Sequence, residues 1–389
     1  MSQKFIPLSV PNLNGKELEY VTHAVKTEWV STGGPYVNEF EEKTANYVKA
    51  NGAVSVQNGT SGLHIALQVC DVTKDDEVIV PTLTFIAAVN PVKYIGAEPI
   101  FMDCDESLGM DADKLSEFCR EQCRVIDGKL INNKTKKHIK AIIVVHVFGN
   151  MANMEKIMEI ADQFNLKVIE DSTEAIGTYY TQGKYKNKFA GTIGTVGVYS
   201  FNGNKIITTG GGGMIVSNDD ELLKRSKHLT TQAKSDELYY THDEIGYNYR
   251  MTNLQAALGL AQLEQLETFI QIKADNYKQY KEMIKEIPEL SILEFNKDIR
   301  SNHWFYALYV DENYPLNRDE IITYLASKKV QVRPIWGLIS EQKPYLGCQS
   351  YKIEKAKNYV KHVVNVPCSS NLSIEDVRYV VDCLKNSVK

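Results

Sequence analysis

Short runs of β-branched and apolar residues alternate with helical segments from Val54 to Ser217. The run 141–146 is apolar almost without interruption, which is typical of a strand buried on both faces of a sheet. Strands that alternate with helices indicate a mainly parallel, doubly wound sheet. We therefore predict an α/β fold whose strands lie at 54–56, 77–81, 99–103, 141–146, 167–171, 196–201 and 213–217.

The sequence pattern changes near residue 253. Helical periodicity continues over 254–287 and ends at Pro288, and shorter α and β segments follow. These features predict a large α/β domain at 1–252, which includes the N-terminal segment, and a second part at 253–389. The second part would consist of a long connecting helix and a small C-terminal α+β domain. The stretch 122–140, rich in Lys and Asn, is predicted to be an exposed excursion before a core strand.

The composition is that of a globular protein with a large core. The 389 residues are 43% hydrophobic, and the formal net charge of −5 argues against binding to a phosphate backbone. No apolar stretch approaches the ~20 residues that a membrane-spanning helix needs. The N-terminal residues lack the apolar core of a signal peptide. We expect a cytoplasmic protein that binds neither nucleic acid nor membranes.

The seven cysteines are an odd number scattered over a long chain, unlike the framework of a secreted protein. Cys119 and Cys123 lie four residues apart with His138 downstream, which raises the alternative of a zinc site. Zinc sites more often show a tight pair of ligands answered by a second tight pair, and the sequence lacks a second pair. The prediction is therefore that the protein holds no metal.

Four features follow predicted strands, where sheets of this type bind their ligands. The small-residue turn 58–62 opens a helix, so it either holds an anion or caps that helix. Asp171 ends a buried strand and could hold a cationic ring nitrogen, a metal or a ribose, or cap the next element. Lys205 lies beyond a strand near the glycines 210–213, where loss of solvent would make its amine a nucleophile. Phe85 either packs in the core or stacks on a ligand.

An anion cradle, a stacking ring, an acid and a lysine together complement the parts of pyridoxal phosphate. With the pattern Ser-Phe-x-x-x-Lys-x-x-Thr-Thr-Gly-x-Gly-Gly at 200–213, the chain resembles the DegT/DnrJ/StrS family of sugar aminotransferases. The resemblance runs from 31–37 to 366–370, nearly the whole length. It implies the fold of the fold-type I pyridoxal phosphate enzymes, with pyridoxal 5'-phosphate as the cofactor.

The resemblance implies a role for each matching residue. Lys205 would bond to the cofactor's aldehyde and then carry the proton during the reaction. Asp171 would pair with the ring nitrogen and keep it protonated, and Phe85 would stack on the ring. The cofactor phosphate would be held by Thr60, Ser61 and Ser200.

The family also implies a homodimer with shared active sites. The segment 246–251 resembles the loop that reaches the neighbouring subunit, with Asn248 directed to the cofactor phosphate and Arg250 to the substrate. Thr32 and Arg333 lie in segments that resemble the substrate side of the site. The implied partners are small molecules, namely a nucleotide-linked keto-sugar and glutamate.

The chain departs from the commoner family pattern at three places. Glu174, which would lie beside the phenolic oxygen of the cofactor, stands where many relatives have Gln. Gly211 replaces a usual Glu, and the stretch after Trp336 lacks a usual His. In these departures and in the insert 122–140, the chain resembles the enzymes of bacillosamine and legionaminic acid synthesis. That branch would aminate UDP-2-acetamido-4-keto-2,4,6-trideoxyglucose with glutamate as donor, and the alternative substrate is GDP-4-keto-6-deoxymannose, as for a perosamine synthase.

Two other classes of function remain open from the residues. A nicotinamide oxidoreductase shares the fold class, but the first strand is followed by Asn-Gly-Thr-Ser-Gly instead of Gly-x-Gly-x-x-Gly. A non-enzymatic, pyridoxal phosphate-binding regulator would have a basic helix-turn-helix or would lack the lysine. The presence of Lys205 favours a transaminase.

Overall fold

The computed structural model describes residues 4–236 and 238–387. The ends of both predicted domains, at 1–3 and 388–389, lie outside the described residues. The strands are β1 (Gly52–Val56), β2 (Asp76–Pro81), β3 (Glu98–Met102), β4 (Cys123–Ile126), β5 (Lys129–Asn132), β6 (His138–Val145), β7 (Lys167–Asp171), β8 (Tyr179–Tyr180), β9 (Val196–Ser200), β10 (Gly213–Ser217), β11 (Lys234–Asp236), β12 (Thr241–His242), β13 (Leu290–Ile292), β14 (Ile299–Arg300), β15 (Tyr306–Val310), β16 (Arg333–Pro334), β17 (Gln349–Tyr351) and β18 (Val363–Val366).

The helices cover the faces and ends of the sheets. They are α1 (Glu17–Lys26), α2 (Pro35–Val48), α3 (Gly59–Val69), α4 (Asn90–Tyr94), α5 (Ala112–Glu121), α6 (Met154–Phe164), α7 (Asp220–Thr230), α8 (Asn253–Leu263), α9 (Leu266–Ile284), α10 (Arg318–Ser327), α11 (Lys355–His362) and α12 (Ile374–Asn386).

The large sheet has the strand order β1-β10-β9-β7-β6-β2-β3-β17. The pairs from β9 to β17 along this order are all parallel, whereas β10 runs antiparallel to both β9 and β1. Apolar side chains fill both faces of the sheet, as the unbroken apolar run in β6 predicts. The predicted α/β fold with a mainly parallel sheet is confirmed, and each predicted strand overlaps a strand of this sheet.

The stretch 122–140 is more ordered than the sequence predicted. β4 and β5 form a hairpin that joins the start of β6 in antiparallel register. Asn132 at its end is fully buried and donates hydrogen bonds to Glu77, at 2.8 Å, and to Gln349. The prediction of an exposed excursion was therefore wrong for this end of the hairpin. The side chain of Asn132 can be buried there because its amide has hydrogen-bond partners inside the protein.

The helix predicted over 254–287 is two helices, α8 and α9, with a break at Glu264 and Gln265. Gln262 before the break and Gln265 within it both donate hydrogen bonds to the buried carboxylate of Glu17 in α1. Side chains three apart on one helix share a face, so periodicity alone does not reveal the break. The amides of both glutamines donate to the same carboxylate oxygen, Oε1 of Glu17.

A second sheet of antiparallel strands, β13-β15-β18-β16, forms in the C-terminal part. The division into 1–252 and 253–389 stays a prediction, and two segments cross it. β17 adds a parallel strand to the large sheet, and Ile6 and Leu8 form backbone hydrogen bonds with the C-terminal part at Lys329, Gln331 and Cys368. Among the helices in the described ranges, none is both long and apolar enough to cross a membrane.

A buried carboxylate organises the loop before β9. Glu170 accepts hydrogen bonds from the backbone N–H of Gly191 and Ile193, at 2.8 and 2.7 Å. It also lies 2.8 Å from Nε2 of His146, which is fully buried. The loop then packs directly on β9, because Gly197 has no side chain and the backbone of Gly191 lies against its Cα.

The substitution Gly197→Ala tests this close approach. A Cβ at this position would overlap the carbonyl oxygen and Cα of Gly191, and backbone atoms cannot rotate away as a side chain does. We expect a loss of about 1–3 kcal/mol in the free energy of unfolding, measured by urea denaturation. Gly203→Ala is the matched control, because a Cβ there meets none of the described atoms within 4 Å. Equal stability of the two variants would contradict the packing described.

Candidate active site

The predicted site residues meet at the carboxyl edge of the large sheet. Strands β7 and β9 end at this edge, and helix α3 begins there. A cavity of about 320 Å³ lies at this point. Six of the predicted residues line it, namely Thr60, Phe85, Asp171, Glu174, Ser200 and Lys205.

Lys205 lines the cavity and lies in the turn that follows β9. Its backbone N–H donates to the carbonyl oxygen of Asn202 at 3.0 Å, and its side chain is 13% exposed. The amine Nζ lies 3.7 Å from Oε1 of Glu174. Burial lowers the pKa of Lys205, while the charges of Glu174 and Asp171 oppose this shift. A lowered pKa leaves more of the amine in its nucleophilic form.

Glu174 is buried opposite the amine. Its Oε2 accepts a hydrogen bond from the backbone N–H of Phe148 at 2.8 Å. Burial raises the pKa of Glu174 to about 7, and the charge of Lys205 opposes the shift. Burial therefore disfavours the charged forms of both partners, and the attraction between them favours these forms. The two shifts bring the proton affinities of Lys205 and Glu174 closer together than those of the free side chains.

Asp171 is the last residue of β7. Its Oδ1 accepts a hydrogen bond from the backbone N–H of Thr173 at 3.1 Å. Burial raises the pKa of Asp171, and the interactions with Thr173 and Lys205 oppose this. A cationic ring nitrogen placed against this carboxylate would favour its ionised form.

The first turn of α3 forms another part of the cavity lining. Asn58 caps the helix, because its side-chain oxygen accepts the N–H of Ser61 at 2.8 Å. Gly59 follows, and a Cβ there would come within 2.9 Å of Thr173 and 3.1 Å of Ser200. The turn is therefore packed tightly against β7 and β9, with the polar helix N-terminus facing the cavity. Thr60 lines the cavity, whereas the buried Ser61 lies behind the lining.

These residues fit pyridoxal phosphate. The cavity offers a primary amine for an aldehyde, a carboxylate for a ring nitrogen and a helix N-terminus for a phosphate. Phe85 lines the cavity with a ring that is 55% exposed, which suits stacking on a planar ligand. Lys205, Asp171, Phe85, Thr60 and Ser200 would hold the cofactor, and these contacts stay predictions.

The structure adds an aromatic wall that sequence reasoning missed. Trp304, Phe305 and Trp336 line the cavity, and Nζ of Lys205 lies 4.0 Å from the ring centroid of Trp304. Trp336 belongs to the segment 333–336, which the family resemblance placed on the substrate side, whereas Trp304 and Phe305 were not predicted. The run Trp304-Phe305-Tyr306 precedes and enters β15, so its aromatic residues resemble ordinary strand core. No local pattern distinguishes a wall of the site from core packing.

Besides Ser61, four predicted residues lie outside the lining of this cavity. Asn248 is exposed and Arg250 half-buried, in a segment whose backbone joins Thr231 and Gln57. Thr32 is half-buried, and Arg333 is exposed on β16. The cavity thus brings together six of the eight predicted cofactor residues, without Ser61 and Asn248, and the predicted substrate residues are not part of its lining.

The sequence profile of the DegT/DnrJ/EryC1/StrS aminotransferase family matches residues 11–385. The chain belongs to this family. It is 39% identical to the GDP-perosamine synthase of Escherichia coli O157:H7, over 98% of each chain. It is 29% identical to the UDP-4-amino-4,6-dideoxy-N-acetyl-beta-L-altrosamine transaminase of Campylobacter jejuni, over 97% of this chain and 96% of the relative.

Solved structures show the same fold. The crystal structure of a DegT DnrJ EryC1 StrS aminotransferase from Brucella abortus matches with a TM-score of 0.86 and 25% identity, over 96% of this chain and 95% of the other. The enzymes of this family are aminotransferases that use pyridoxal phosphate. The predictions of the family, of a pyridoxal phosphate-dependent aminotransferase and of its cofactor are therefore confirmed.

The substitution Glu174→Gln tests the buried carboxyl. The folded protein holds a proton on Glu174 at pH values where the unfolded chain has released it. The free energy of unfolding of the cofactor-free wild type therefore contains a component that is lost as the pH rises from about 4.5 to about 7. Because Gln does not titrate, the variant lacks this component, as urea denaturation at a series of pH values will show.

The matched control is Glu221→Gln on α7, whose side chain is exposed to solvent. It should keep the wild-type dependence of the free energy of unfolding on pH. An unchanged pH dependence in Glu174→Gln would mean that Glu174 does not hold a proton in the folded state.

Proposed function

We propose that the protein transfers an amino group from glutamate to the keto carbon of a nucleotide-linked 4-keto-6-deoxy sugar, with pyridoxal phosphate as cofactor. The observation that carries this proposal is the placement of the Lys205 amine, nearly buried, between Glu174 and the aromatic wall in a cavity at the sheet edge. An amine in this place can bond to the cofactor and, once released, move a proton. Lys205 also favours transamination over dehydration, since the dehydrating relatives are expected to carry His at this position.

Each residue has a task that follows from its position. Bound pyridoxal phosphate supplies an aldehyde that takes up amines and a ring that accepts electron density from the substrate. Asp171, at the end of β7, holds the ring nitrogen protonated so that the ring can accept this density. Lys205 takes a proton from the donor's α-carbon as a neutral amine and returns it as an ammonium. Glu174 adjusts the proton affinity of this amine through its charge.

The nucleotide is the finer part of the proposal. The sequence departures pointed to a UDP-linked 2-acetamido sugar, as in the bacillosamine and legionaminic acid branch. The identity of 39% to a GDP-perosamine synthase, against 29% to a UDP-sugar transaminase, supports the GDP-linked alternative instead. We therefore propose GDP-4-keto-6-deoxymannose as the acceptor, with UDP-2-acetamido-4-keto-2,4,6-trideoxyglucose as the second candidate.

A spectroscopic half-reaction distinguishes the two sugars. Glutamate should convert the absorbance of the pyridoxal form of the holoenzyme to that of the pyridoxamine form. After removal of glutamate, the GDP-linked keto-sugar should restore the pyridoxal absorbance, and the UDP-linked sugar should restore it far more slowly. Restoration by the UDP-linked sugar alone would reverse the assignment of the nucleotide.

Lys205→Ala is the control for this half-reaction. Without the amine the proton has no carrier, so the spectral conversion by glutamate should be lost. If glutamate fails to convert the wild-type absorbance, or if Lys205→Ala converts at the wild-type rate, the assignment as a Lys205-dependent transaminase is wrong.

We further propose that the protein works as a homodimer with shared sites. Asn248 and Arg250 carry polar groups suited to a phosphate and a substrate, yet they lie outside the cavity of their own chain. The nearby hairpin β11–β12 exposes Leu238, Tyr239 and Tyr240, and exposed apolar groups of this kind favour a protein contact. A second copy of the chain would cover these groups and place Arg250 in its neighbour's site.

Mixed dimers of Lys205→Ala and Arg250→Ala test this arrangement. Each variant alone should be inactive, since both of its sites lack an essential group. In a mixed dimer isolated through two different affinity tags, one site carries both defects and the other carries none. We expect about half of the wild-type activity per dimer, because isologous dimers hold two equivalent sites. A mixed dimer without activity would place Lys205 and Arg250 of the same chain in one site.

A further inference from the structure

The free amine of Lys205 lies between two groups that both favour its charged form. Oε1 of Glu174 lies 3.7 Å from Nζ, and the ring centroid of Trp304 lies 4.0 Å from it. An ammonium over the face of an indole is attracted by the ring quadrupole, most strongly where water is excluded. Trp304 is 3% exposed, so this contact is a buried one.

The indole of Trp304 is held in place by hydrogen bonds at two points. Its Nε1–H donates to the carbonyl oxygen of Asn204 at 2.8 Å, one residue before Lys205 in the chain. Its backbone N–H donates to the side-chain oxygen of Asn302 at 3.0 Å. The ring is therefore fixed relative to the turn that carries the amine.

The same Asn302 also holds the backbone of Glu174, the residue on the other side of the amine. Its side-chain N–H groups donate to the backbone carbonyl oxygens of Glu174 and Ile176, at 2.9 and 3.0 Å. One buried amide therefore joins the two backbone segments that carry the groups facing Nζ of Lys205. The side-chain oxygen and the side-chain N–H groups of Asn302 all have hydrogen-bond partners. A buried network whose polar groups are all paired in this way favours a single arrangement of its side chains.

The backbone between Asn302 and Trp304 is strained, since His303 has a φ of 52°. A left-handed conformation at a residue other than Gly costs free energy and persists where the surroundings impose it. His303 stacks on Tyr277, with ring centroids 4.9 Å apart, and its N–H donates to the hydroxyl of Ser301. This conformation turns the next residue, Trp304, toward the cavity.

We propose that Trp304 is a positioning residue for Lys205, and that its ring and the carboxylate of Glu174 form a binding place for the ammonium of Lys205 while this residue is detached from the cofactor. The inference rests on the proposed function, in which Lys205 is released when the donor amine binds. The neutral amine takes the substrate proton, lies as an ammonium on the indole, and then gives the proton back. Trp304 thus keeps the detached side chain in the site and favours its protonated form.

The charged groups around this amine set the sign of the effect. Among the described residues, Glu174 and Asp171 are the ionisable groups that act on Lys205. Both favour the ammonium, and burial opposes it. The indole adds a further attraction for the ammonium, so its removal should lower the pKa of Lys205. If Trp304 merely excluded water, its removal would admit solvent and raise the pKa of Lys205 toward its ordinary value.

The experiment uses the full chain loaded with pyridoxamine 5'-phosphate, a form in which Lys205 is free and no turnover is needed. The protein is labelled with trace acetic anhydride over a range of pH, and the acetylation of Lys205 is measured by mass spectrometry of its peptide. We expect Trp304→Leu to shift the midpoint of labelling down by about one pH unit, a tenfold rise in the acidity constant. Trp304→Phe keeps an aromatic face and should shift it much less.

Trp336→Leu is the matched control, since Trp336 lines the same cavity but packs on Phe148, with ring centroids 4.9 Å apart. It should leave the midpoint of Lys205 unchanged. A midpoint in Trp304→Leu that is unchanged or shifted upward would overturn the proposal. Equal shifts in Trp304→Leu and Trp336→Leu would also overturn it.

A second measurement covers the case in which Trp304→Leu does not fold. Biosynthetic replacement of tryptophan by 5-fluorotryptophan weakens the ring quadrupole at nearly constant shape, so the midpoint of Lys205 should move down. The same replacement in Trp304→Phe should have no effect, and a missing difference between the two proteins would overturn the proposal. Because labelling does not depend on turnover, a failure of the transaminase assignment would show in the glutamate half-reaction and not here.

Discussion

The cost of burying the charge of Lys205 governs the architecture of the site. A lysine amine taken from water loses hydration, and this loss lowers its pKa. The protein opposes the loss with a carboxylate on one side of the amine and an indole face on the other. The balance leaves the amine able to act as a nucleophile and as a carrier of a proton, which are the two tasks that transamination requires.

Two neighbouring acids at the end of β7 have different environments, one inside the packed protein and one at the candidate site. Side chains alternate between the faces of a strand, so Glu170 and Asp171 point in opposite directions. The carboxylate oxygens of Glu170 form hydrogen bonds with His146 and with backbone N–H groups of the loop before β9. These bonds hold that loop against the sheet. Asp171 faces the cavity with an N–H of Thr173 on one oxygen, and it remains able to bind a ligand.

The C-terminal half of the chain completes the site that the large sheet begins. Trp304 and Phe305 come from the segment that enters β15, and Trp336 follows β16. Asn302 ties this segment to the loop that carries Glu174. The cavity is therefore lined by residues from both the large sheet and the C-terminal part of the chain.

The sequence by itself determined the mainly parallel sheet and the cofactor, and it named six residues that line one cavity, because strand runs and the motif at 200–213 are local patterns read from neighbouring residues. It did not reveal the hairpin β4–β5, the break between α8 and α9, or the wall formed by Trp304. These features depend on contacts between distant segments, such as the bond between Trp304 and Asn204, which are 100 residues apart. Tertiary structure alone decided which aromatic residue lies on the amine, since a strand aromatic looks the same in sequence whether it packs in the core or faces a ligand.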